Sequence, residues 1–392
     1  MIKIVTVLLL VIALSSLFSA IVIQTISAFA VNDKNNEKNS FKKHNPHALD
    51  LATANYYSHD VSILLGNRDG TFGVATNYPV GLGPGSLAVG DFNHDKKLDL
   101  VVANYNSGSI SILLNKGHGA FVITTNYPIS NGPVSIAVGD FDGDGKMDLA
   151  VIHSGLPTGS VSILLSNGDG TFKGGVDYAA GLNPTSVAVG DLNGDGKLDL
   201  VVTNYDSNNV SILLGKGDGT FGAATDYTVG RGPMAVTVGD FNRDGKLDVA
   251  AANNGFVTGS VSILLGNGDG TFGTATNYPL GSSTRSIVTG DFNHDGKPDL
   301  AVTNDASNTL SILLGNGDGT FGPVTNYPTG RIPSSVAVAD FNHDGKQDLV
   351  VANEGQNSIS IFAGNGDGTF GTPTNYPISG DSPFAVVVGN FG

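Results

Sequence analysis

"SVAVGDLNGDGKLDLVVTNYDSNNVSILLGKGDGTFGAATDYTVGRGP", residues 186–233, is the stretch whose reading decides the fold. It contains four short runs: "SVAV" (186–189), "LDLVVTN" (198–204), "VSILLG" (210–215) and "FGAATDYTV" (221–229). Each is rich in β-branched or aromatic residues and bounded by Gly, Asn or Asp, so each reads as a strand. Between the third and fourth runs, "GDG" (217–219) supplies glycines for a tight hairpin turn, where positive φ is needed. Between the first and second, "DLNGDGKLD" (191–199) places side-chain oxygens at positions 1, 3, 5 and 9.

Working outward, the same line recurs. Relatives of "VSILL" begin at Val61, Ile110, Val161, Val210, Val261, Leu310 and Ile359, seven copies spaced by 49 to 51 residues. Four strands in each unit of about fifty residues is the period of a β-propeller blade. One such sheet cannot bury both its faces, whereas a ring of them can. After position 47 the chain enters at "ALDLATANYYSHD", the second strand of a unit, and it leaves at "SPFAVVVGNFG", the first strand of one. These partial units are complementary. The expectation is therefore an all-β, seven-bladed propeller of four-stranded blades, closed by pairing of the C-terminal strand with the N-terminal blade, which removes an open sheet edge. Phe72, Phe121, Phe172, Phe221, Phe272, Phe321 and Phe370 follow the hairpin in every unit, with Tyr78, Tyr127, Tyr178, Tyr227, Tyr278, Tyr327 and Tyr376 six residues later. Rings present in every blade are expected to pack between blades.

The acidic loop occurs six times. Its side-chain oxygens come from Asp91, Asn93, Asp95 and Asp99; Asp140, Asp142, Asp144 and Asp148; Asp191, Asn193, Asp195 and Asp199; Asp240, Asn242, Asp244 and Asp248; Asp291, Asn293, Asp295 and Asp299; and Asp340, Asn342, Asp344 and Asp348. Together they hold more than half of the chain's 35 acidic residues. Calcium takes about six to eight oxygens in flexible geometry, and alternate residues of a curling loop can turn theirs inward while position 7 offers a backbone carbonyl. Packing like charges this densely without a counterion is repulsive. Asx-rich turns account for some of the oxygens, but not for Asp at positions 1, 5 and 9 of every copy. Up to six Ca²⁺ ions are expected. The all-oxygen donor set argues against zinc and copper, and nothing suggests the strict octahedron of magnesium. Lys96 replaces the glycine of position 6, which makes the loop at 91–99 the least certain site, and the split unit retains only Asp50.

The remaining composition sets limits. The net charge of −15 opposes nucleic acid and anionic membrane surfaces as partners. With no Cys, neither disulfides nor thiolate metal sites can form. Residues 1–30 read as a signal peptide ending in "AFA", or as an anchor if left uncleaved; residues 31–47 read as a polar linker and 48–392 as the propeller. The expected location is secreted or cell-surface, with no membrane insertion of the mature domain unless that first segment stays as an anchor.

No nucleophile–His–acid set and no G-x-S-x-G elbow stands out. His94, His294 and His343 occupy position 4 of acidic loops, His118 lies in a hairpin turn, and His59 and His153 are placed between second and third strands. The chain is accordingly expected not to be an enzyme. The loops between second and third strands vary from unit to unit and carry Tyr56, Tyr57, Tyr105 and Tyr205 outside the repeated framework. Such loops suit an extracellular protein or glycan partner.

"VAVGDFNxDGKLDLVV" followed by "VSILLGNGDGTFG" resembles the FG-GAP and VCBS repeats, over about residues 48–392. The resemblance implies a seven-bladed propeller like that of integrin α-subunits, with calcium in loops on one rim. It also implies an adhesion or interaction module. Two alternatives stay open: a lectin-like glycan-binding propeller and a polysaccharide-acting enzyme.

Overall fold

The computed structural model describes residues 48–129, 132–154, 159–255 and 257–392. The signal-peptide and linker expectations fall outside these residues. Among the described residues the strands form seven four-stranded antiparallel sheets. Blade 1 is split: its innermost strand is Pro383–Gly389, followed outward by Asp50–Asn55, Asp60–Leu64 and Thr76–Pro79. Blades 2 to 7 are continuous and begin at the innermost strands Pro84–Gly90, Pro133–Gly139, Pro184–Gly190, Pro233–Gly239, Thr284–Gly290 and Pro333–Ala339. Each innermost strand packs against the next around the ring, including Pro383–Gly389 against Pro84–Gly90. The ring is thus closed, as the complementary ends imply. In blade 1 the closing ladder runs from Asp50 opposite Gly389 to Asn55 opposite Pro383.

The second strands, such as Asp199–Asn204, are buried at every residue because a neighbouring blade covers each face. That explains their unbroken apolar runs, in place of the alternation of a half-exposed strand. The aromatic rings seal these blade-to-blade faces. Phe221 of blade 4 meets Phe141 and Tyr178 of blade 3 edge-to-face, each at 5.6 Å between centroids. Phe321 of blade 6 is held in the same way by Phe241 and Tyr278 of blade 5. Such pairs contribute about 0.5–1.5 kcal/mol each beyond the area they bury. Blade 4 carries Leu192 where other loops carry Phe, so Phe272 of blade 5 keeps only its tyrosine partner, Tyr227.

The fourth strand is shorter than its sequence suggests. In blade 4 it covers Thr225–Thr228, while Phe221 makes only an isolated bridge to Gly215. Gly222 and its small neighbours give the ladder no side chains to pack, and the pairing lapses. Blade 2 shows the converse. There "FVITTNYP" replaces Gly and Ala with Val122, Ile123 and Thr124, and the strand runs unbroken over Phe121–Pro128. The one departure from strand and turn among the described residues is the 3-10 turn Glu354–Gln356 in blade 7.

Antiparallel order puts the first-to-second and third-to-fourth connections of every blade on one rim. The second-to-third connections and the links between blades lie on the other. The acidic loops and the GDG hairpins therefore share a rim, and the variable loops face away from them.

Candidate metal centre

The six acidic loops share one geometry. The aspartate of position 9 opens the second strand and is buried in every copy. One oxygen accepts from the backbone N–H of position 2, the other from a backbone N–H at the end of the third strand or just beyond it. Asp199 Oδ2 takes Leu192 N at 2.9 Å, and Oδ1 takes Gly215 N at 2.7 Å. Asp50 makes the same two bonds in the split blade, to Phe391 N at 2.7 Å and Gly66 N at 2.8 Å, although no acidic loop exists there. Position 9 is thus a structural pin that ties loop, hairpin and strand together, whatever else its remaining lone pairs do.

Position 1 curls the loop. Asp191 Oδ2 accepts from Gly196 N at 2.9 Å, and Oδ1 from Gly194 N and Asp195 N. Position 3 accepts from the same Asp195 N through Asn193 Oδ1. Position 5 behaves differently. Its carboxylate faces a lysine at position 7, giving the pairs Lys97–Asp95, Lys146–Asp144, Lys197–Asp195, Lys246–Asp244, Lys297–Asp295 and Lys346–Asp344 at 2.6–3.3 Å. The repeated lysine escapes notice when only oxygens are counted, and it neutralises part of the charge that the carboxylates concentrate.

Among the described residues, one loop brings three carboxylates to a single point. Asp140, Asp142 and Asp148 place oxygens within 4.8 Å of one another. Asp144 lies outside this set, with its Oδ2 on Lys146 Nζ at 2.6 Å. The other loops carry Asn at position 3 and offer an amide oxygen instead. Carboxylate, amide and backbone oxygens around one point are the donor chemistry of a hard cation such as Ca²⁺. At position 6, Lys96 takes the left-handed conformation (φ 67°) that glycine takes in the sister loops, and its N–H makes the same bond to Asp91 Oδ2 at 2.9 Å. The loop at 91–99 therefore keeps the shape of its sisters despite the substitution.

Electrostatics separate positions 9 and 5. Burial pushes Asp99, Asp148 and Asp299 up to about 6, against the two backbone N–H bonds that favour the ionised form. Asp199, Asp248 and Asp348 are raised for the same reason. At position 5, the hydrogen bond from Lys146 holds Asp144 below the usual carboxylate range, and Lys297 does the same to Asp295.

The variable rim holds features that do not repeat. Tyr56 packs at a tilt against Phe384 at 5.8 Å and edge-to-face against Tyr57 at 5.2 Å, and donates from Oη to Asn106 Oδ1 at 3.2 Å. Arg285, on the innermost strand of blade 6, is 1% exposed. Its Nη1 lies 2.5 Å from Glu354 Oε2 and 3.9 Å from Asp305 Oδ2, and its guanidinium sits 4.6 Å over the Phe384 ring. The sequence signal for this cluster was a break in the repeat, since the corresponding residues are Gly85, Val134, Thr185, Met234, Ser334 and Phe384. Tyr57, Leu82 and Val257 project from the same rim. His153 is likewise a repeat break. It belongs to the strand Asp148–His153 and is buried there, not in a loop as its sequence suggested.

These features define a class: a seven-bladed β-propeller whose repeats each carry strand, acidic loop, two strands, GDG hairpin and strand. The chain belongs to the FG-GAP-like repeat family, whose model matches residues 48–102, 91–151, 152–202, 191–251, 247–302, 291–351 and 340–391. No curated protein matches it. Among solved structures it is similar to the periplasmic gluconolactonase of Pseudomonas aeruginosa, at TM-score 0.70 and 17% identity over 88% of this chain and 99% of that one. It is similar to a candidate 6-phosphogluconolactonase from Bacteroides uniformis, at 0.66 and 16% over 87% and 99%. A protein of unknown function from Desulfotomaculum acetoxidans matches at 0.66 and 12% over 87% and 98%. At these identities the likeness is one of fold. It nevertheless corrects the expectation that the chain is not an enzyme. Neighbours named for lactone hydrolysis share this architecture, and a propeller assembles sites from residues distant in sequence, so the lack of a linear motif carried no weight.

Proposed function

We propose that this propeller is a calcium-stabilised extracellular interaction module, with calcium on the acidic rim and ligand on the variable rim. The observation that carries the reading is the coupling of acidic loops to neighbouring blades. The hairpin of each of six blades donates a backbone N–H to the carbonyl of position 2, or its equivalent Phe391, in the blade before: Gly170 to Phe92, Gly219 to Phe141, Gly270 to Leu192, Gly319 to Phe241, Gly368 to Phe292 and Gly119 to Phe391, at 2.7–3.2 Å. An ion that fixes an acidic loop thereby fixes the next blade. The residues that hold it are positions 1, 3, 5 and 9 of each loop. The loop of Asp140, Asp142 and Asp148 is the strongest site, because three carboxylates already converge there. Asp144 and its equivalents join when the position-7 lysine yields.

The partner is an extracellular protein or glycan. Tyrosines beside Asn, Asp and Glu on the variable rim support either: aromatic faces pack on sugar rings or side chains, and the polar groups fix orientation. The apolar N-terminal sequence supports export. Calorimetric titration of the chelator-stripped chain tests the metal half, with saturable Ca²⁺ binding that Mg²⁺ does not match expected and absence of binding heat refuting it. A glycan array in Ca²⁺, repeated with the 56–59 loop replaced by that of blade 6, tests the ligand half. Binding indifferent to the exchange would refute the rim assignment, and turnover of an array hit would establish the polysaccharide-acting alternative.

A further inference from the structure

Blade 3 departs from the repeat at one spot between its outer strands and those of blade 2. In the other six blades the second strand ends in Asn, whose amide donates to a serine in the middle of the third strand, and that serine donates to Asn or Asp on the fourth. In blade 3 the members are His153, Ser162 and Asp177. Ser162 gives its proton to Asp177 Oδ1, as its equivalents give theirs, and His153 Nε2 donates to Ser162 Oγ at 2.7 Å. The ladder is thus kept, and it holds the Asp177 carboxylate in place. What changes is the space in front of it. Gly175 stands where the other blades carry Ala75, Thr124, Ala224, Ala275, Val324 and Pro373, and Lys173 stands where five of them carry glycine. A Cβ built on Gly174 would meet nothing within 4 Å, and one built on Gly175 would make only ordinary contacts, the nearest to Ser162 Cβ at 3.5 Å. The missing side chain is therefore one that would cover the serine. Ser62, Ser111, Ser211, Ser262, Ser311 and Ser360 are all 0% exposed, whereas Ser162 is 7% exposed. It opens into a cavity of about 240 Å³ that Tyr127, Phe172, Lys173 and Asp177 also line.

We propose that this cavity binds a single neutral sugar ring. A small-molecule site combines apolar and aromatic walls with a few fixed polar groups that set orientation. Here Tyr127 of blade 2 and Phe172 of blade 3 meet edge-to-face at 6.1 Å and supply the aromatic wall. Asp177 supplies an acceptor, held in register by Ser162, and Lys173 supplies a donor. One carboxylate and one ammonium in the same wall decide the charge of the ligand. An anion would face Asp177 and a cation would face Lys173, so either meets a like charge. Hydroxyl groups both donate and accept, so a polyol satisfies the two together. A pyranose carries such groups around its edge and C–H bonds on its faces, which suits the aromatic wall. The cavity is smaller than the roughly 300–1,000 Å³ of drug-sized sites, which limits the ligand to one ring. The site lies apart from the acidic loops and from the Tyr56 and Arg285 surface, and it does not rest on the function proposed for them.

The experiment titrates the full chain by saturation-transfer NMR with D-glucose, D-galactose and D-mannose, and with glycine and acetate as zwitterionic and anionic probes. Saturable binding of at least one hexose is expected, and none of glycine or acetate. Gly175→Val installs the side chain that blade 6 carries as Val324, and it is expected to abolish the hexose signal at unchanged melting temperature. Asp177→Asn keeps an acceptor for Ser162, as five blades do with Asn, so the fold should hold while the loss of charge weakens hexose binding about tenfold. Replacing the 56–59 loop should leave hexose binding unchanged, which separates this site from the variable rim. Hexose binding that survives Gly175→Val, binding of glycine or acetate alone, or no hexose binding by the parent chain would overturn the proposal.

Discussion

A lysine in place of glycine at position 6 sets the loop at 91–99 apart from its five sisters. Lys96 occupies a left-handed conformation that glycine adopts freely and a side chain adopts at a cost. Its N–H still reaches Asp91 Oδ2, so the strain is local and the loop retains its hydrogen bonds. Lys96→Gly is therefore expected to stabilise the chain by about 1 kcal/mol in urea unfolding, with an unchanged m-value. A destabilised variant would show that the lysine makes a compensating contact. Position 4 illustrates what was legible at this scale. His94, His294, His343 and Arg243 all have positive φ there, so the histidines that might have suggested chemistry stand at a turn position that glycine fills in two other loops. The position-7 lysines could also have been read from the sequence, since they recur in every loop. Their pairing with position 5, and not with a neighbouring blade, is a matter of side-chain geometry.

At the scale of elements, the closing ladder of blade 1 depends on Asp50. This carboxylate bonds the N–H of Phe391 from the C-terminal end and that of Gly66 from the N-terminal part of the chain. Leaving two buried N–H groups without an acceptor costs about 1–3 kcal/mol each. Asp50→Ala is expected to lower unfolding stability by about 2–5 kcal/mol. Its response to calcium should be unaltered, because no acidic loop sits in that blade. Measuring urea midpoints with and without chelator checks both halves of the statement, and a loss confined to the calcium-loaded form would contradict it. The same pin in a blade without a loop shows why Asp at position 9 was only partly legible as a ligand. Spacing alone does not distinguish a metal-binding carboxylate from one that accepts two backbone donors. The fourth strands were legible in place but not in length, since small residues after each hairpin phenylalanine let the ladder lapse, except where Val122, Ile123 and Thr124 sustain it.

At the scale of the whole molecule, the two rims differ in charge, and calcium and pH are expected to act through the acidic one. Six independent sites at tenfold excess over their dissociation constants would add about 1.4 kcal/mol each, roughly 8 kcal/mol in all. For a ring of this length that corresponds to a rise of about 10 °C in Tm. Calorimetric melts in Ca²⁺ and in chelator test this, and coincident transitions would refute it. Without calcium, pH should have the opposite effect to that usual for carboxylates. Asp99, Asp148 and Asp299 titrate near 6 in the fold because they are buried, and near 4 when the chain unfolds. Between these values the native state holds more protons than the unfolded one, so stability falls as pH rises from about 4 to about 6. The hairpin carboxylates act in a lower window. Thr71 and Thr171 hydroxyls hold Asp69 and Asp169 below the usual range, so their contribution is present above about 4 and lost as pH falls further. The chelated protein should therefore melt highest near pH 4–5. Calcium, by holding the position-9 groups ionised, should flatten the decline toward pH 7. A chelated Tm that rises steadily from pH 4 to 7 would contradict the assignment.

The sequence by itself determined the ring, its number of blades and its closure, because a fifty-residue hydrophobic period leaves one way to bury every strand and the two partial units complement each other. It also determined which residues form the acidic loops. The tertiary structure decided which of those oxygens converge, because convergence depends on whether each carboxylate faces a cation, a backbone donor or another carboxylate. It also brought Arg285, Glu354 and Phe384 together from three blades. In blade 3, the strand pairings aligned His153, Ser162 and Asp177 beneath a missing side chain. A one-residue departure from a repeat is visible along the chain, but what it touches is fixed only when the sheets are paired and the ring is closed.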